Sequence, residues 1–288
     1  MKKTLLAISL CLVMIVSLVG TVSAITNNYV NDFDHPYVGM IAFYDANGEF
    51  IWRCSGSLIS PTKMVTAGHC ADTAEGAVSA RVWFQQDAGA NYDANLGYDP
   101  VTGYADSCAG DTLGKTCATA SHIYNYGFAN FAGFPNTHDV GLVILDQPIA
   151  VAEYAQLPEV GILDNLDTKR GTQDTIFTIS GYGLSYEPNA KSALGNLSFR
   201  IRLEANSTLV NLGKGYNDVY NLQTQGNGDS RGGTCSGDSG GPVLLGNFDS
   251  NTIVAVTSFG KNSMCRGTDF SYRLDRQEVL DWINNTGN

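Results

Sequence analysis

Short apolar runs that recur between turn residues are the feature that most limits what this 288-residue chain can fold into. Each run is only a few residues long and rich in Val, Ile, Phe and Tyr, as β-strands are. The 32 glycines favour turns over long helices. Because no long helical pattern separates the runs, the sequence predicts an all-β sandwich or barrel and not βαβ units. The clearest runs cover residues 37–44, 81–84, 140–145, 175–180, 197–203, 242–245 and 252–259.

Two regions depart from this pattern. Residues 275–284 predict a C-terminal helix, since Val279, Leu280 and Ile283 fall on one helical stripe. Residues 86–136 are rich in Gly, Asn, Asp and Tyr, and we expect long surface loops there.

The first 24 residues have the pattern of a secretory signal peptide. A positive start at Lys2 and Lys3 is followed by an apolar stretch at 5–19 and the small-residue site Val22-Ser23-Ala24. The alternative is an uncleaved anchor helix, which needs about 20 apolar residues. We expect cleavage after Ala24, export from the cell and no stable membrane association afterwards.

The chain carries a formal net charge of −11. An acidic surface disfavours binding to nucleic acid or to anionic membranes, and it does not by itself name a substrate.

Six cysteines remain after the leader and its Cys11 are removed. An even number in an exported chain indicates up to three disulfides, and six cysteines allow 15 pairings. Metal binding is the rival explanation, but the chain has no Cys-x-x-Cys pair. We therefore expect disulfides, and neither a metal nor a cofactor. The six are Cys54, Cys70, Cys108, Cys117, Cys235 and Cys265.

Ser239 is the candidate nucleophile, within Gly-Asp-Ser-Gly-Gly-Pro at 237–242. A serine nucleophile needs an exposed hydroxyl and nearby backbone N–H groups that hold a developing oxyanion. Flanking glycines let the backbone turn so that such donors converge. An ordinary Gly-rich turn is the alternative, and the length of the motif argues against it.

His69 is the candidate base among four histidines, and Asp139 the candidate acid that orients it. Asp139 stands at the start of the apolar run 140–145, where an ionised side chain is avoided unless it is paired. For His35, His122 and His138 a surface or packing role is the better interpretation.

Three motifs together resemble the chymotrypsin-like (trypsin-fold) serine proteases. They are Thr-Ala-Gly-His-Cys at 66–70, His-Asp-Val-Gly-Leu at 138–142 and Gly-Asp-Ser-Gly-Gly-Pro at 237–242, in the order His, Asp, Ser. That order differs from those of the α/β-hydrolases and the subtilisins. With the closing Leu-Asp-Trp-Ile at 280–283, the resemblance spans almost all of the mature chain.

The resemblance implies two six-stranded antiparallel β-barrels at 25–288, with the site between them and a break near 150–175. It implies bridges Cys54–Cys70 and Cys235–Cys265, which leaves Cys108 with Cys117. It also implies that His69, Asp139 and Ser239 act as a triad. The backbone N–H groups of Gly237 and Ser239 would bind the oxyanion.

Activation in this family pairs a new N-terminal Ile or Val with the Asp before the nucleophile, here Ile25 and Asp238. Cleavage after Ala24 would expose Ile25 directly, although Thr-Asn-Asn follows it where the family has Val-Gly-Gly. The alternative is a short propeptide that is removed later.

The substrate pocket implied by the resemblance lacks the acid of trypsin-like members, since Gly233 stands six residues before Ser239. Gly260 leaves its entrance open, which favours an apolar or aromatic residue before the cleaved bond. Asp269 falls near the opposite wall, either as a displaced carboxylate that favours Arg or Lys, or as a surface acid. The implied pocket comprises Gly233, Thr234, Ser258, Phe259, Gly260 and Asp269.

The sequence thus predicts a secreted, monomeric serine endopeptidase that acts on protein or peptide substrates. A catalytically silent homologue that serves as a binding protein is the alternative, and it usually lacks a triad residue. A serine esterase on another fold is disfavoured by the His-first order.

Overall fold

The computed structural model describes residues 25–88, 114–166, 168–169, 173–185, 200–213, 215–226, 228, 230–261 and 265–287. In these ranges the chain forms two antiparallel β-sheets and one α-helix. No helix in these ranges is long and apolar enough to cross a membrane.

The first sheet is built almost entirely from the first half of the chain. Its strands follow the order β6-β5-β2-β3-β4-β8-β7. Only Ser121 separates β6 from β7, so the two are halves of one bent strand that closes the sheet into a six-stranded barrel. The strands are β2 (Val38–Tyr44), β3 (Phe50–Leu58), β4 (Lys63–Thr66), β5 (Ser79–Trp83), β6 (Cys117–Ala120), β7 (His122–Asn125) and β8 (Gly141–Ile144).

The second sheet follows the order β1-β10-β11-β14-β13-β12-β9, and a further β9–β10 pairing closes six of its strands into a barrel. The two-residue β1 adds the N-terminal segment to its edge, beside β10. The elements are β1 (Val30–Asn31), β9 (Ile176–Gly181), β10 (Leu203–Asn211), β11 (Asn221–Gln225), β12 (Pro242–Leu245), β13 (Ile253–Gly260), β14 (Thr268–Arg273) and the helix α1 (Gln277–Asn285).

Alternating inward residues fill each barrel, as the short apolar runs predict. Met40, Val82 and Leu142 are buried in the first barrel, and Phe177 and Val243 in the second. The helix α1 buries Val279, Leu280 and Ile283, the three residues of the predicted stripe. The two-barrel, all-β prediction is confirmed.

Some predicted boundaries were wrong. The interpretation of 86–136 as loop fails for β6 and β7, which form the closing strand of the first barrel. Residues 197–199 of the run at 197–203 lie outside the described residues, and β10 begins at its last residue, Leu203. The proposed break near 150–175 falls between the end of β8 at Ile144 and the start of β9 at Ile176.

Disulfides join Cys54 to Cys70 and Cys235 to Cys265, with Cα–Cα distances of 6.2 and 5.1 Å. Cys117 is also disulfide-bonded. Its expected partner Cys108 lies outside the described residues, as does the predicted signal peptide at 1–24.

Candidate active site

Strand pairing explains why His69 and Asp139 meet. The strands β4 and β8 are antiparallel, with Thr66 opposite Gly141, so the end of β4 and the start of β8 share one sheet edge. His69 follows β4 and Asp139 precedes β8. The approach is close enough that a Cβ at Gly141 would lie 2.6 Å from the carbonyl oxygen of Ala67.

Asp139 holds His69 by backbone and ring. Its Oδ1 accepts the His69 backbone N–H at 2.7 Å, and the His69 Nδ1 lies 3.0 Å from Oδ2. Oδ2 also accepts a hydrogen bond from the Ser258 hydroxyl. Asp139 is buried, whereas the His69 side chain is 27% exposed, so the imidazole is fixed on one edge and open to the cleft.

The two groups shift each other's pKa. Burial acts to raise the Asp139 pKa, but attraction to His69 and the hydrogen bonds outweigh it and the pKa is lowered. For His69, burial acts to lower the pKa, and the Asp139 carboxylate outweighs it, so the pKa is raised above 6.5. Asp139 is therefore the charged partner, and His69 takes up a proton readily.

Ser239 lies on a loop of the second barrel that is bonded to the first. Its carbonyl oxygen accepts the Ser55 N–H at 2.8 Å, and the Ser55 hydroxyl donates to the Gly237 carbonyl at 2.9 Å. The Cys70 Sγ, next to His69 in the chain, lies 3.6 Å from the same Ser239 oxygen. These contacts place the Ser239 loop against Cys70, the residue that follows His69, and Ser239 is partly exposed. No hydrogen bond joins the Ser239 hydroxyl to His69, both of which are described.

The turn at Ser239 leaves two backbone donors unused. Gly237 has φ +100° and Gly240 φ +77°, in the left-handed region that favours glycine. Within the described residues, the N–H groups of Gly237 and Ser239 have no protein acceptor, whereas Asp238, Gly240 and Gly241 each donate to a carbonyl. The two free donors flank the hydroxyl, as an oxyanion site requires.

Asp238, between them, is fully buried. It accepts N–H groups of Gly183 at 2.7 Å and Cys235 at 2.9 Å. Burial raises its pKa to about 7, and the two hydrogen bonds and the nearby Arg53 cation offset part of that effect. Among the described residues no cationic side chain forms an ion pair with it. A cation placed in direct contact with this carboxylate would therefore be stabilised as an ion pair.

Ile25, the predicted partner of Asp238, is buried in the core of the second barrel, and among the described residues no hydrogen bond joins the two. Thr26 pairs with Gly233 through two backbone hydrogen bonds of 2.9 Å. Asn27 and Asn28 have φ +62° and +46°, so asparagines adopt the left-handed backbone expected of the family's glycines.

A cavity beside Ser239 contains most of the expected pocket residues. Thr234, Ser258, Phe259, Gly260 and Asp269 line it. Gly233 lies behind it, where a Cβ would be 3.0 Å from Asp269 Oδ2. That oxygen accepts the Thr234 N–H at 2.9 Å, and burial raises the Asp269 pKa to about 7. Asp269 is thus a buried pocket acid and not a surface acid.

Sequence reasoning missed several residues here. Ser258 was expected only in the pocket, yet it also bonds Asp139. Lys261 and Arg266 line the cavity as well, and Phe128 packs against His69 at 5.8 Å between rings. Of these residues, only Ser258 had a signal in the sequence, through the Ser-Phe-Gly match at 258–260.

Two described groups place three possible metal ligands within 4.8 Å of one another. One contains the bonded Cys54–Cys70 pair with His69, so its sulfurs are not thiolates. The other is Asp32, His35 and Glu204, all buried. Burial acts to lower the His35 pKa, but both carboxylates raise it to about 10. His35 as a cation, with Arg202 3.5 Å from Asp32, balances the two acids without a metal.

Comparison with known proteins gives consistent relatives. A family model described as Trypsin matches residues 26–283. Brachyurin of Leptuca pugilator is 30% identical over 271 residues, covering 92% of this chain and 96% of the relative. Chymotrypsin of Phaedon cochleariae is 25% identical over 243 residues, covering 82% and 72%.

Solved structures show the same fold. HL collagenase matches with a TM-score of 0.59 at 19% identity, covering 90% of this chain and 99% of that one. An inactivated scabies mite protease paralogue matches with a TM-score of 0.56 at 17% identity, covering 91% and 95%. Because an inactivated protein shares it, the fold does not decide activity. On the family model and the brachyurin match, this chain belongs to the trypsin family of serine proteases.

Proposed function

We propose that the protein is a secreted serine endopeptidase that cleaves peptide bonds through an acyl-enzyme on Ser239. The observation that carries the proposal is the assembly of a carboxylate-held histidine, a partly exposed serine beside it and two unused N–H donors around that serine. Each part serves one requirement of acyl transfer: a base, a nucleophile and an oxyanion site.

In this mechanism the His69 ring accepts the Ser239 proton as the hydroxyl attacks the scissile carbonyl. Because Asp139 holds Nδ1, the other ring nitrogen is the one available to the serine. The Gly237 and Ser239 N–H groups stabilise the negative oxygen, and His69 then protonates the leaving amine. Water repeats the sequence to release the acyl group, with no metal or cofactor.

The open edge of β13 supports a polypeptide substrate. Pairing of β13 with β12 ends at Val256, whereas its other edge pairs with β14 as far as Gly260. The stretch 258–260, which lines the pocket, therefore offers one free strand edge to the cleft. An extended peptide can add to such an edge by main-chain hydrogen bonds.

For the pocket we propose an apolar or aromatic residue before the cleaved bond, with basic residues accepted when Asp269 is ionised. Gly233 and Gly260 supply space, and Phe259 supplies an apolar wall. Asp269 supplies the only carboxylate among the described pocket residues, and Lys261 and Arg266 also line the cavity.

We also propose that signal cleavage after Ala24 activates the protein directly, and that it then acts extracellularly as a monomer. The new α-amino group of Ile25 would supply a direct ion-pair partner for buried Asp238. The two backbone hydrogen bonds between Thr26 and Gly233 support this, since they already hold the N-terminal segment behind the pocket.

Labelling with an active-site serine phosphonate tests the chemistry. Mature protein should be labelled once, and Ser239→Ala should abolish both labelling and peptide hydrolysis. Ser121→Ala is the matched control, because Ser121 is an exposed serine bonded to Asp146. A folded wild-type protein that neither labels nor cleaves would identify a catalytically silent homologue.

A further inference from the structure

The turn that contains Asp139 has a backbone that needs support from its surroundings. His138, the residue before Asp139, has φ +54°, in the left-handed region that is costly for residues other than glycine. The Val140 N–H then donates to the His138 carbonyl at 2.8 Å, so Asp139 is the central residue of a three-residue turn. A strained backbone of this kind persists only where neighbouring contacts hold it. The β4–β8 pairing begins only at Gly141, so it does not include this turn.

The turn lies directly against the residue that precedes His69. A Cβ added to Gly68 would be 3.0 Å from the Val140 nitrogen and 3.1 Å from the His138 carbonyl oxygen, so the two backbones are in close contact. Asp139 also accepts the His69 backbone N–H at 2.7 Å. A displacement of the turn would therefore change the distance and angle between the carboxylate and the imidazole.

Hydrogen bonds from the second barrel hold the chain just before this turn. The Tyr272 hydroxyl on β14 donates to Asn136 Oδ1 at 2.6 Å. The Asn221 amide on β11 donates to the Pro135 carbonyl at 2.9 Å and to the Tyr216 carbonyl at 3.0 Å. Asn221 and Tyr272 are directly opposite each other in the β11–β14 pairing, and both are buried. Two neighbouring strands of the second barrel thus fix residues 135 and 136 of the first.

Asn136 transmits this restraint to the strained residue. Its Nδ2 lies 3.4 Å from His138 Nε2, and the ring of Tyr126 packs against the His138 ring at 5.4 Å between centroids. Only Thr137, which is fully buried, separates Asn136 from His138. The residue before Asp139 is therefore held both by its own side chain and by the fixed segment that leads to it.

We propose that Asn221 and Tyr272 are positioning residues for the proposed base. Through Pro135 and Asn136 they fix the turn that presents the Asp139 carboxylate to the imidazole. Neither residue lines the substrate cavity or the cleft beside the imidazole, so both act through the turn. The inference rests on the proposed endopeptidase mechanism, in which a shift of about 1 Å in a catalytic group can cost about 100-fold in rate.

Tyr272→Phe tests the proposal with the smallest change, because it removes only the hydroxyl. We expect kcat on a peptide substrate to fall about tenfold, with KM little changed, since the substrate does not touch this residue. Asn221→Leu removes both amide hydrogen bonds and should lower kcat about 100-fold. Tyr154→Phe is the matched control and should retain kcat. Its hydroxyl donates to the Ile149 carbonyl at 2.8 Å, in the segment between the two barrels.

The titration of His69, followed by NMR in the Ser239→Ala protein, is a readout that needs no activity. Burial acts to lower the His69 pKa, whereas Asp139 and, more weakly, the Asp72 charge raise it. If the turn is displaced, the contribution of Asp139 decreases. The His69 pKa should therefore fall when Tyr272→Phe is added to Ser239→Ala. It should not fall when Tyr154→Phe is added instead.

Asn136→Ala tests the route by which Tyr272 acts. Combined with Tyr272→Phe, it should lower kcat no further than the larger of the two single effects, because both changes remove the same hydrogen bond. Additive effects would contradict this route. If Asn221→Leu does not fold, Tyr272→Phe and Asn136→Ala decide the question.

Unchanged kcat and an unchanged His69 pKa in Tyr272→Phe would overturn the inference. A lower thermal midpoint alone would then show that the hydrogen bonds serve only stability. A wild-type protein that does not hydrolyse peptides, but whose His69 pKa falls with Tyr272→Phe, would contradict the endopeptidase proposal and support the positioning role.

Discussion

At the scale of single residues, Asp139 has more partners than orientation of His69 alone requires. Its oxygens accept a backbone N–H, contact the imidazole and accept the Ser258 hydroxyl. Asp139→Asn keeps the shape but presents an N–H where His69 needs an acceptor. We expect kcat to fall by about 10⁴-fold with the thermal midpoint little changed. Asp146→Asn, at an exposed acid bonded to Thr119 and Ser121, is the control and should be active. Near-normal kcat in Asp139→Asn would remove Asp139 from the mechanism.

The pH dependence of activity should report His69. Burial alone would lower its pKa, but the Asp139 carboxylate raises it above the usual 6.5. A general base must be neutral, so kcat/KM should rise with pH through a midpoint above 6.5. The measurement is a pH profile of kcat/KM on a neutral substrate, in wild type and in Asp139→Asn. The residual activity of the variant should titrate at lower pH, and an unshifted midpoint would contradict the assignment.

Asp269 should make substrate preference depend on pH. Its pKa, raised by burial to about 7, leaves it neutral in acid and ionised in base. We expect the ratio of kcat/KM for Arg over Phe before the cleaved bond to increase as pH rises through about 7. The His69 titration cancels in this ratio because both substrates require the same base. In Asp269→Asn the ratio should be low and flat, and a pH-independent wild-type ratio would show that Asp269 does not face the substrate.

At the scale of elements, the sequence predicts strands well where apolar runs are continuous. It predicts them poorly where a segment becomes a strand only by pairing with neighbouring strands. The run at 242–245 matches β12, because apolar side chains fill the barrel there. β6 and β7 were missed because Thr, Ser, His and Asn interrupt their pattern, and only pairing with β5 and β8 makes them strands. The cluster of aromatic rings formed by Phe131, Phe134, Tyr216 and Phe259 was missed for the same reason. Its rings lie far apart in the chain, and long-range hydrogen bonds such as Asn221 to Pro135 bring them together.

The role of His35 follows from its neighbours in the fold and not from its sequence context. It was expected to have a surface or packing role, yet its Nδ1 lies 3.1 Å from Asp32 and 3.3 Å from Glu204, all buried. His35→Gln removes the cation that lies between the two buried carboxylates and leaves Arg202, beside Asp32, as the remaining positive charge of the cluster. We expect a loss of about 3 kcal/mol in the free energy of unfolding, measured by urea denaturation. Adding Glu204→Gln to His35→Gln should restore part of this free energy. If the effects of the two substitutions simply add, His35 and Glu204 are not paired.

The same cluster predicts a pH window of stability. Burial would lower the His35 pKa, but the carboxylates raise it to about 10, so the folded state binds the proton more tightly than the unfolded chain. Its contribution is therefore complete below pH 6.5 and is lost as pH rises through about 10. The measurement is the difference in unfolding free energy between wild type and His35→Gln. That difference should shrink from pH 6 to pH 11, and a constant difference would mean that His35 is neutral.

At the scale of the whole molecule, the proposed catalytic groups are divided between two barrels whose alignment depends on buried polar contacts. Arg202 of the second barrel donates to the carbonyls of Val38 and Phe84 in the first, each at 3.0 Å. Tyr182 donates to Gln85 at 2.7 Å. The three sequence motifs predict the triad because they encode chemistry, but the alignment of the barrels follows from contacts that no local motif contains.

Activation joins all of these scales, because one cleaved bond should organise the pocket, the oxyanion site and Ser239 together. In the uncut chain Ile25 has φ +60°, which is strained for a β-branched residue, and Asp238 is buried without an ion pair among the described residues. Cleavage after Ala24 removes the carbonyl that causes the strain and supplies the α-amino cation. A chain that begins at Ile25 should therefore be fully active in active-site titration.

A chain with one additional Gly before Ile25 moves that amine out of place and leaves Asp238 uncompensated. Its activity should fall about 100-fold or more, since breaking a buried ion pair costs several kcal/mol. In the mature protein activity should also decline at alkaline pH. The α-amino pKa, ordinarily about 8, is raised by pairing with Asp238, and the pair is lost once the amine deprotonates above that raised pKa. Full activity of the Gly-extended chain, or a secreted N-terminus well beyond Ile25, would show that the pair does not form.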